Sequence, residues 1–199
     1  MPSETDILNA ALSKIGARRI TAMDDDSTEA NHCQVFYPLL RRSLLRSHHW
    51  NFAETRTELA QDATAPAFEF AFSYTLPPDL LKLKEYNGVN LDTSNLSLFE
   101  SVDPSRYKVE GRKLYTNDGT VKIVYVKDET DPNVWDALFA QTLIAWLASD
   151  LAMAISKDSR LSQRMLEEAI NLLLPMAAAV DGQEGSVNKF ITDELIWGR

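Results

Sequence analysis

Hydrophobic positions change their rhythm twice along this 199-residue chain. They open at helical spacing. Ile7, Leu8, Ala11, Leu12 and Ile15 recur at i, i+3 and i+4, which predicts an amphipathic helix from Thr5 to Ile15, capped by Thr5 and stopped by Gly16. A second helix is expected from about Ser27 to His49, with Ser27 or Thr28 as its cap. Its broad apolar side comprises Val35, Phe36, Leu39, Leu40, Leu44 and Leu45, and Pro38 within that pattern should kink it or mark its true start.

From Trp50 to Lys127 the rhythm becomes that of strands. Phe68, Phe70 and Phe72 alternate with Glu69, Ala71 and Ser73, the pattern of a strand with one buried face. Pro77-Pro78 breaks it, the run Leu80, Leu81, Leu83 follows, and Asn87-Gly88 signals a turn. Val89 to Pro104 is polar and reads as a surface loop. Arg106–Val109, Lys113–Thr116 and Thr120–Val126 are then joined by the turns Glu110-Gly111 and Asn117-Asp118-Gly119, which predicts a three-stranded meander inserted between helices.

Helical spacing returns at Asp131-Pro132, a cap followed by proline in the first turn, and continues to about Ser156. That helix is apolar on most sides, so other helices should surround it. Asp136, Gln141, Ser149 and Asp150 interrupt the apolar window from Val134 to Ile155, which suits a buried helix better than a membrane span. A fourth helix should begin near Asp158 or Ser159, carry Leu161, Met165, Leu166, Ile170, Leu172 and Leu173, and be kinked or interrupted by Pro175. The short Lys157-Asp158 link makes the two an antiparallel hairpin.

After Gly182 and Gly185 comes a tail with Val187, Phe190, Ile191, Leu195, Ile196 and Trp197, too many large apolar groups for free solvent. It either folds back on its own domain or docks on a neighbouring subunit or partner. The expected fold class is α+β, mainly α. Residues 1–49 supply N-terminal helices of a bundle, 50–130 an inserted antiparallel β subdomain, 131–181 a C-terminal helical hairpin, and 182–199 an extended docking tail.

Charge and chemistry refine this. The formal net charge is −9, so a general basic grip on nucleic acid is not expected. An acidic wall would still suit a passage through which DNA slides without being held. Arg41, Arg42 and Arg46 cluster on the second helix, either as a patch facing phosphate or an acidic partner, or as a solvated helix face suited to the dipole. The Asp24-Asp25-Asp26 run lacks the alternating ligands and closing Glu of a calcium loop and reads as an acidic lead-in to that helix. Adjacent His48 and His49 point in different directions on a helix, and Cys33 has no partner cysteine, so no metal and no disulfide are expected. The acidic, polar N-terminus is the reverse of a signal peptide, which places synthesis in the cytoplasm. No phosphate loop or hydrolase elbow occurs, and Glu167-Glu168 is one acidic pair among 29 acids. No cofactor is expected, and the chemistry points to surfaces rather than turnover.

The order of parts resembles the tail tubular protein A family of short-tailed bacteriophages, the head-to-tail adaptors beneath the portal. The likeness rests on Asp6-Ile7-Leu8-Asn9-Ala10-Ala11-Leu12-Ser13-Lys14-Ile15-Gly16 and on the helix ending in His49-Trp50-Asn51-Phe52. Then come the Tyr74–Leu83 segment, the Tyr107–Val126 meander and the Trp135–Ile155 helix, so it spans nearly the whole chain. The resemblance implies a non-enzymatic virion protein in a ring, twelve subunits in this family, bound to the portal and continuing its DNA channel. Such a ring would receive the tail nozzle and fibres, let DNA pass without specific binding, and need no membrane anchor. The rival reading is a tail-associated hydrolase acting on host polysaccharide or cell wall.

Overall fold

The computed structural model describes residues 3–91 and 106–184. Helix α1 (Glu4–Lys14) starts one residue earlier than its spacing predicts, because Ser3 and not Thr5 is the cap. The Ser3 hydroxyl accepts from the Asp6 amide at 3.2 Å, and the Asp6 carboxylate accepts from the Ser3 amide at 2.8 Å, a reciprocal capping box. Gly16, at φ +70°, ends it as expected. Helix α2 (Thr28–Ser47) is capped by Ser27 and runs through Pro38. Its apolar side is narrower than expected. Cys33, Tyr37, Leu40, Leu44 and Leu45 are buried, whereas Val35 and Leu39 are 58% and 60% exposed.

The third helix differs at its start. Asp131-Pro132 opens only a short 3-10 turn (Pro132–Val134), and Asp136 caps α3 (Ala137–Leu151), accepting from the Leu138 and Phe139 amides at 2.7 and 3.2 Å. Two of the orphan amides at the helix start are thus satisfied by one carboxylate. Asp136→Ala should therefore cost about 1 kcal/mol in urea unfolding, and Asp131→Ala clearly less, the reverse of what the Asp-Pro signal implies.

Helix α3 continues as a π-helical turn (Ala152–Ser156), and Lys157 at φ +53° reverses the chain into α4 (Ser159–Glu167), capped by Asp158. A second π stretch, Glu168–Leu173, leads into α5 (Leu174–Glu184). It ends just before Pro175, whose missing amide could not continue an ordinary i→i−4 ladder there. Gly182 lies within α5 instead of stopping it. The segment Ala137–Ser156 has the length and composition of a membrane span. Within the fold, Phe139, Leu143, Leu147, Ala148 and Leu151 are buried in a cluster shared with α1 and α2.

Among the described residues, seven strands form two antiparallel sheets, making the chain an α+β protein. The first has the order β1 (Glu54–Leu59), β7 (Val121–Lys127), β3 (Leu80–Tyr86), β4 (Val89–Asn90). The second has the order β2 (Phe72–Thr75), β6 (Lys113–Thr116), β5 (Tyr107–Glu110). The expected meander is thereby corrected: β5 and β6 pair, but β7 leaves them and joins β1 and β3. Asn117-Asp118-Gly119 moves the chain between sheets rather than closing a hairpin. The alternating phenylalanines are corrected too, since Phe68 is 80% exposed, Glu69 adopts φ +72°, and the strand begins only at Phe72. Val89 and Asn90, expected in a loop, pair with Tyr86 and Glu85.

Two buried clusters result. One surrounds Tyr37, Trp50, Phe139 and Leu143 and takes in Ala53 and Val126 from the β-rich stretch. The other joins Tyr74 and Leu114 of the second sheet to Tyr86, Val121, Ile123 and Tyr125 of the first.

Candidate interaction surfaces

The arginines on α2 do not form one outward patch. Arg41 is 6% exposed, and its Nη2 lies 2.8 Å from Asp128 Oδ1, just past β7. Arg42 Nε donates to Asp128 Oδ2 at 2.7 Å, and Arg46 donates to the Leu81 carbonyl of β3. All three tie α2 to the first sheet. Arg42 keeps a side chain 57% exposed and Arg46 lies at the surface, but Arg41 faces inward, correcting the expectation of a partner-facing trio. Burial alone would raise the Asp128 carboxyl, yet the hydrogen bonds from Arg42 and Arg41 hold it below the usual carboxylate range.

A second polar tie has no signal in the sequence. Asp181 of α5 is buried, its Oδ1 accepts from the Asn51 amide at 3.0 Å, and Asn51 Nδ2 donates to its backbone carbonyl at 2.6 Å. His48 Nε2 lies 3.3 Å from Asp181 Oδ2. The end of α5 is thereby fixed to the seam between α2 and the strands. Asp118 does comparable work between the sheets: it accepts from the Tyr86 hydroxyl and Asn87 Nδ2 at 2.7 and 3.0 Å, with Arg106 Nε 3.4 Å away. The Tyr86 hydrogen bond is the main reason its carboxyl is held low.

The other chemistry-bearing residues are occupied locally. Asp25 accepts from the Thr21 amide and hydroxyl, Glu168 pairs with Lys14 at 2.6 Å, and Gln163 donates to Glu167 at 3.0 Å. His32 stacks on Phe36, and His49 is buried. Cys33 is buried, and burial pushes its thiol up to about 11. Among the described residues no group of three or more His, Cys, Asp and Glu is placed to hold a metal.

Large apolar side chains are left open on the helices. Val35 and Leu39 stand one turn apart on α2, and Met153 is 51% exposed on the π turn after α3. Leu172, Met176 and Val180, at successive four-residue steps, are 54%, 47% and 39% exposed. A cleft of about 240 Å³ lies among Ala10, Lys14, Gln141, Ile144, Glu168 and Leu173. Another of about 380 Å³ is lined by Phe36, Asp150, Met153 and Ala154. In the sequence Asp150 registers only as a polar interruption of an apolar helix. In the fold its carboxyl is raised by burial. The expected docking residues Val187, Phe190, Ile191, Leu195, Ile196 and Trp197 lie outside the described residues, as does most of the loop up to Pro104.

No protein-family model matches this chain, and no curated protein is significantly similar to it.

Proposed function

We propose that this chain is a structural virion protein, a head-to-tail adaptor of a short-tailed bacteriophage that forms a ring beneath the portal. Its helices form a bundle carrying the β-rich insertion, the ring continues the DNA channel, and the far side receives the tail nozzle. The observation that carries the reading is the apolar surface left open on the helices, from Val35 and Leu39 to Leu172, Met176 and Val180. Apolar surface of this kind, away from an enclosed pocket, suits packing against other protein chains. The resemblance of the sequence supplies which assembly that would be. The acidic balance fits a channel that lets DNA slide.

The test is the mass of the complex formed with the portal protein from the same genome, measured by light scattering after size exclusion. A stoichiometric ring-sized species is expected. Folded, full-length protein that forms no complex at micromolar concentration would remove the reading. Deletion of residues 186–199 should leave the monomer's far-UV spectrum and melting temperature unchanged while blocking ring formation. Assembly of the truncated chain at full yield would exclude the tail as an assembly element.

A further inference from the structure

Asn87-Gly88, the turn between β3 and β4, is the chain's single Asn-Gly step. Asparagine is thermolabile, and most so before glycine, where no side chain keeps the next backbone nitrogen from the amide carbon. Gly88 lies at the surface with open space beside its α-carbon. The Asn87 side chain is nevertheless held at both ends. Its Nδ2 donates to Asp118 Oδ2 at 3.0 Å and to the Thr120 carbonyl at 3.2 Å. Its Oδ1 accepts from the Lys122 amide at 2.8 Å, and the Asn87 amide donates to the Lys122 carbonyl at 2.8 Å. While those bonds hold, the amide carbon cannot swing toward the Gly88 nitrogen.

The clamp is only as firm as this end of the sheet. Its partners lie more than thirty residues along the chain, at the start of β7 and just before it. On the other side, β4 contributes just two pairs, Glu85–Asn90 and Tyr86–Val89. A turn closed by so short an edge strand opens more readily than the core.

We propose that Asn87 is a guarded modification site: the closed turn protects it, opening lets it deamidate, and the product keeps the turn from closing as before. In the open turn, solvent base takes the Gly88 amide proton and the freed nitrogen attacks Asn87 Cγ. A Cγ–N bond forms, the Cγ–Nδ2 bond breaks, and Nδ2 leaves as ammonia with a proton from water. Water then opens the cyclic imide to aspartate or isoaspartate. Amide and water become acid and ammonia, and nothing is oxidised or reduced. The product has no N–H for Asp118 or for the Thr120 carbonyl, and it sets a second carboxylate against that of Asp118. Isoaspartate also lengthens the main chain at the turn. Each conversion thus leaves a permanent mark of an opening.

Peptide mapping by tandem mass spectrometry tests this on the full-length chain, kept at mildly alkaline pH in buffer or in urea. Acid at position 87 should accumulate about a hundredfold more slowly in buffer. Asp118→Ala removes one acceptor of Nδ2 and should speed the reaction in buffer about tenfold. Equal rates in buffer and urea, or no conversion of Asn87 in urea, overturn the proposal. A folded Asp118→Ala chain that deamidates no faster than wild type also overturns it. Should that variant fail to fold, the wild-type comparison decides. Asn87→Asp reproduces the aspartate product and should melt about 5 °C below wild type. Adding Asp118→Asn should recover most of the loss, because the contact regains an amide donor from its other side. An Asn87→Asp chain as stable as wild type overturns the claim that the product bars closure.

Discussion

Asp128→Ala should lower the unfolding free energy by about 3–5 kcal/mol, whereas Arg42→Ala should cost less than about 1 kcal/mol. The two changes touch the same ion-pair group, and exposure separates them. The Arg41 and Asp128 side chains are 8% and 12% exposed, while that of Arg42 is 57% exposed. Removing Asp128 leaves the Arg41 guanidinium inside the protein near the Tyr37 ring with no countercharge. Removing Arg42 leaves the Arg41–Asp128 pair intact. Urea unfolding of the two variants checks the contrast, and equal losses would mean that the buried pair contributes no more than a surface one.

The same group sets a pH signature. The arginine hydrogen bonds outweigh burial and leave the folded Asp128 carboxyl below its ordinary value. A depressed folded pKa contributes stability that is complete above the unfolded value, near 4, and is lost as pH falls through the folded one. The stability gap between wild type and Asp128→Ala should therefore hold at neutral pH and narrow below about pH 4. A gap that stays constant to about pH 2.5 would show that the pairing is not ionic.

The second large effect is expected at Trp50. Trp50→Ala should cost about 3–5 kcal/mol and lower the melting temperature by about 10 °C. The ring is fully buried, touches Phe52 and Phe139, meets His48 at its edge, and donates from Nε1 to the Leu44 carbonyl at 2.9 Å. Trp50→Phe keeps an aromatic ring and removes one hydrogen bond to a carbonyl that still accepts from the Ser47 hydroxyl at 2.7 Å, so only about 0.5–1.5 kcal/mol should be lost. Thermal unfolding followed by far-UV circular dichroism reads both. An alanine variant as stable as the phenylalanine one would mean that the hydrogen bond, not the packing, carries the residue's contribution.

The helices were legible because their signals are local. Ser27, Asp158 and Gly16 act within one turn of themselves, and the 3.6-residue repeat survives in α1, α3 and α4. Where two local signals competed, tertiary context chose. Asp131-Pro132 has the stronger sequence signature, yet Asp136 caps α3, and the exposed Val35 and Leu39 belong to the same apolar repeat as the buried Leu44. Strands depended on partners far along the chain. β1 reads as Glu-Thr-Arg-Thr-Glu-Leu, with only Leu59 buried, and is a strand because β7 pairs with it along its whole length. Asn117-Asp118-Gly119 looks like a hairpin turn, but Tyr74, Tyr86 and Leu114 are buried together only when β7 crosses to the other sheet. The arginines showed their spacing but not the carboxylate 87 residues away that turns Arg41 inward. Asp150 reads only as a polar break in an apolar helix and Asp181 carries no signal, since the surroundings of both exist only after folding.

The buried faces of α1 and α2 meet chiefly on α3, which leaves the ribosome about ninety residues after α2 is complete. At roughly 5–20 residues per second, the first two helices wait several seconds or more with Leu8, Leu12 and Leu44 uncovered. The strand pairing of β1 waits less long, about sixty residues, for β7. The helical cluster cannot become native until α3 emerges, whereas the described strands and the second buried cluster lie wholly before it. In a nascent chain arrested before Ala137, α1 and α2 should accordingly be protease-sensitive and bound by chaperones that hold apolar segments, while one arrested after α4 has emerged should resist cleavage there.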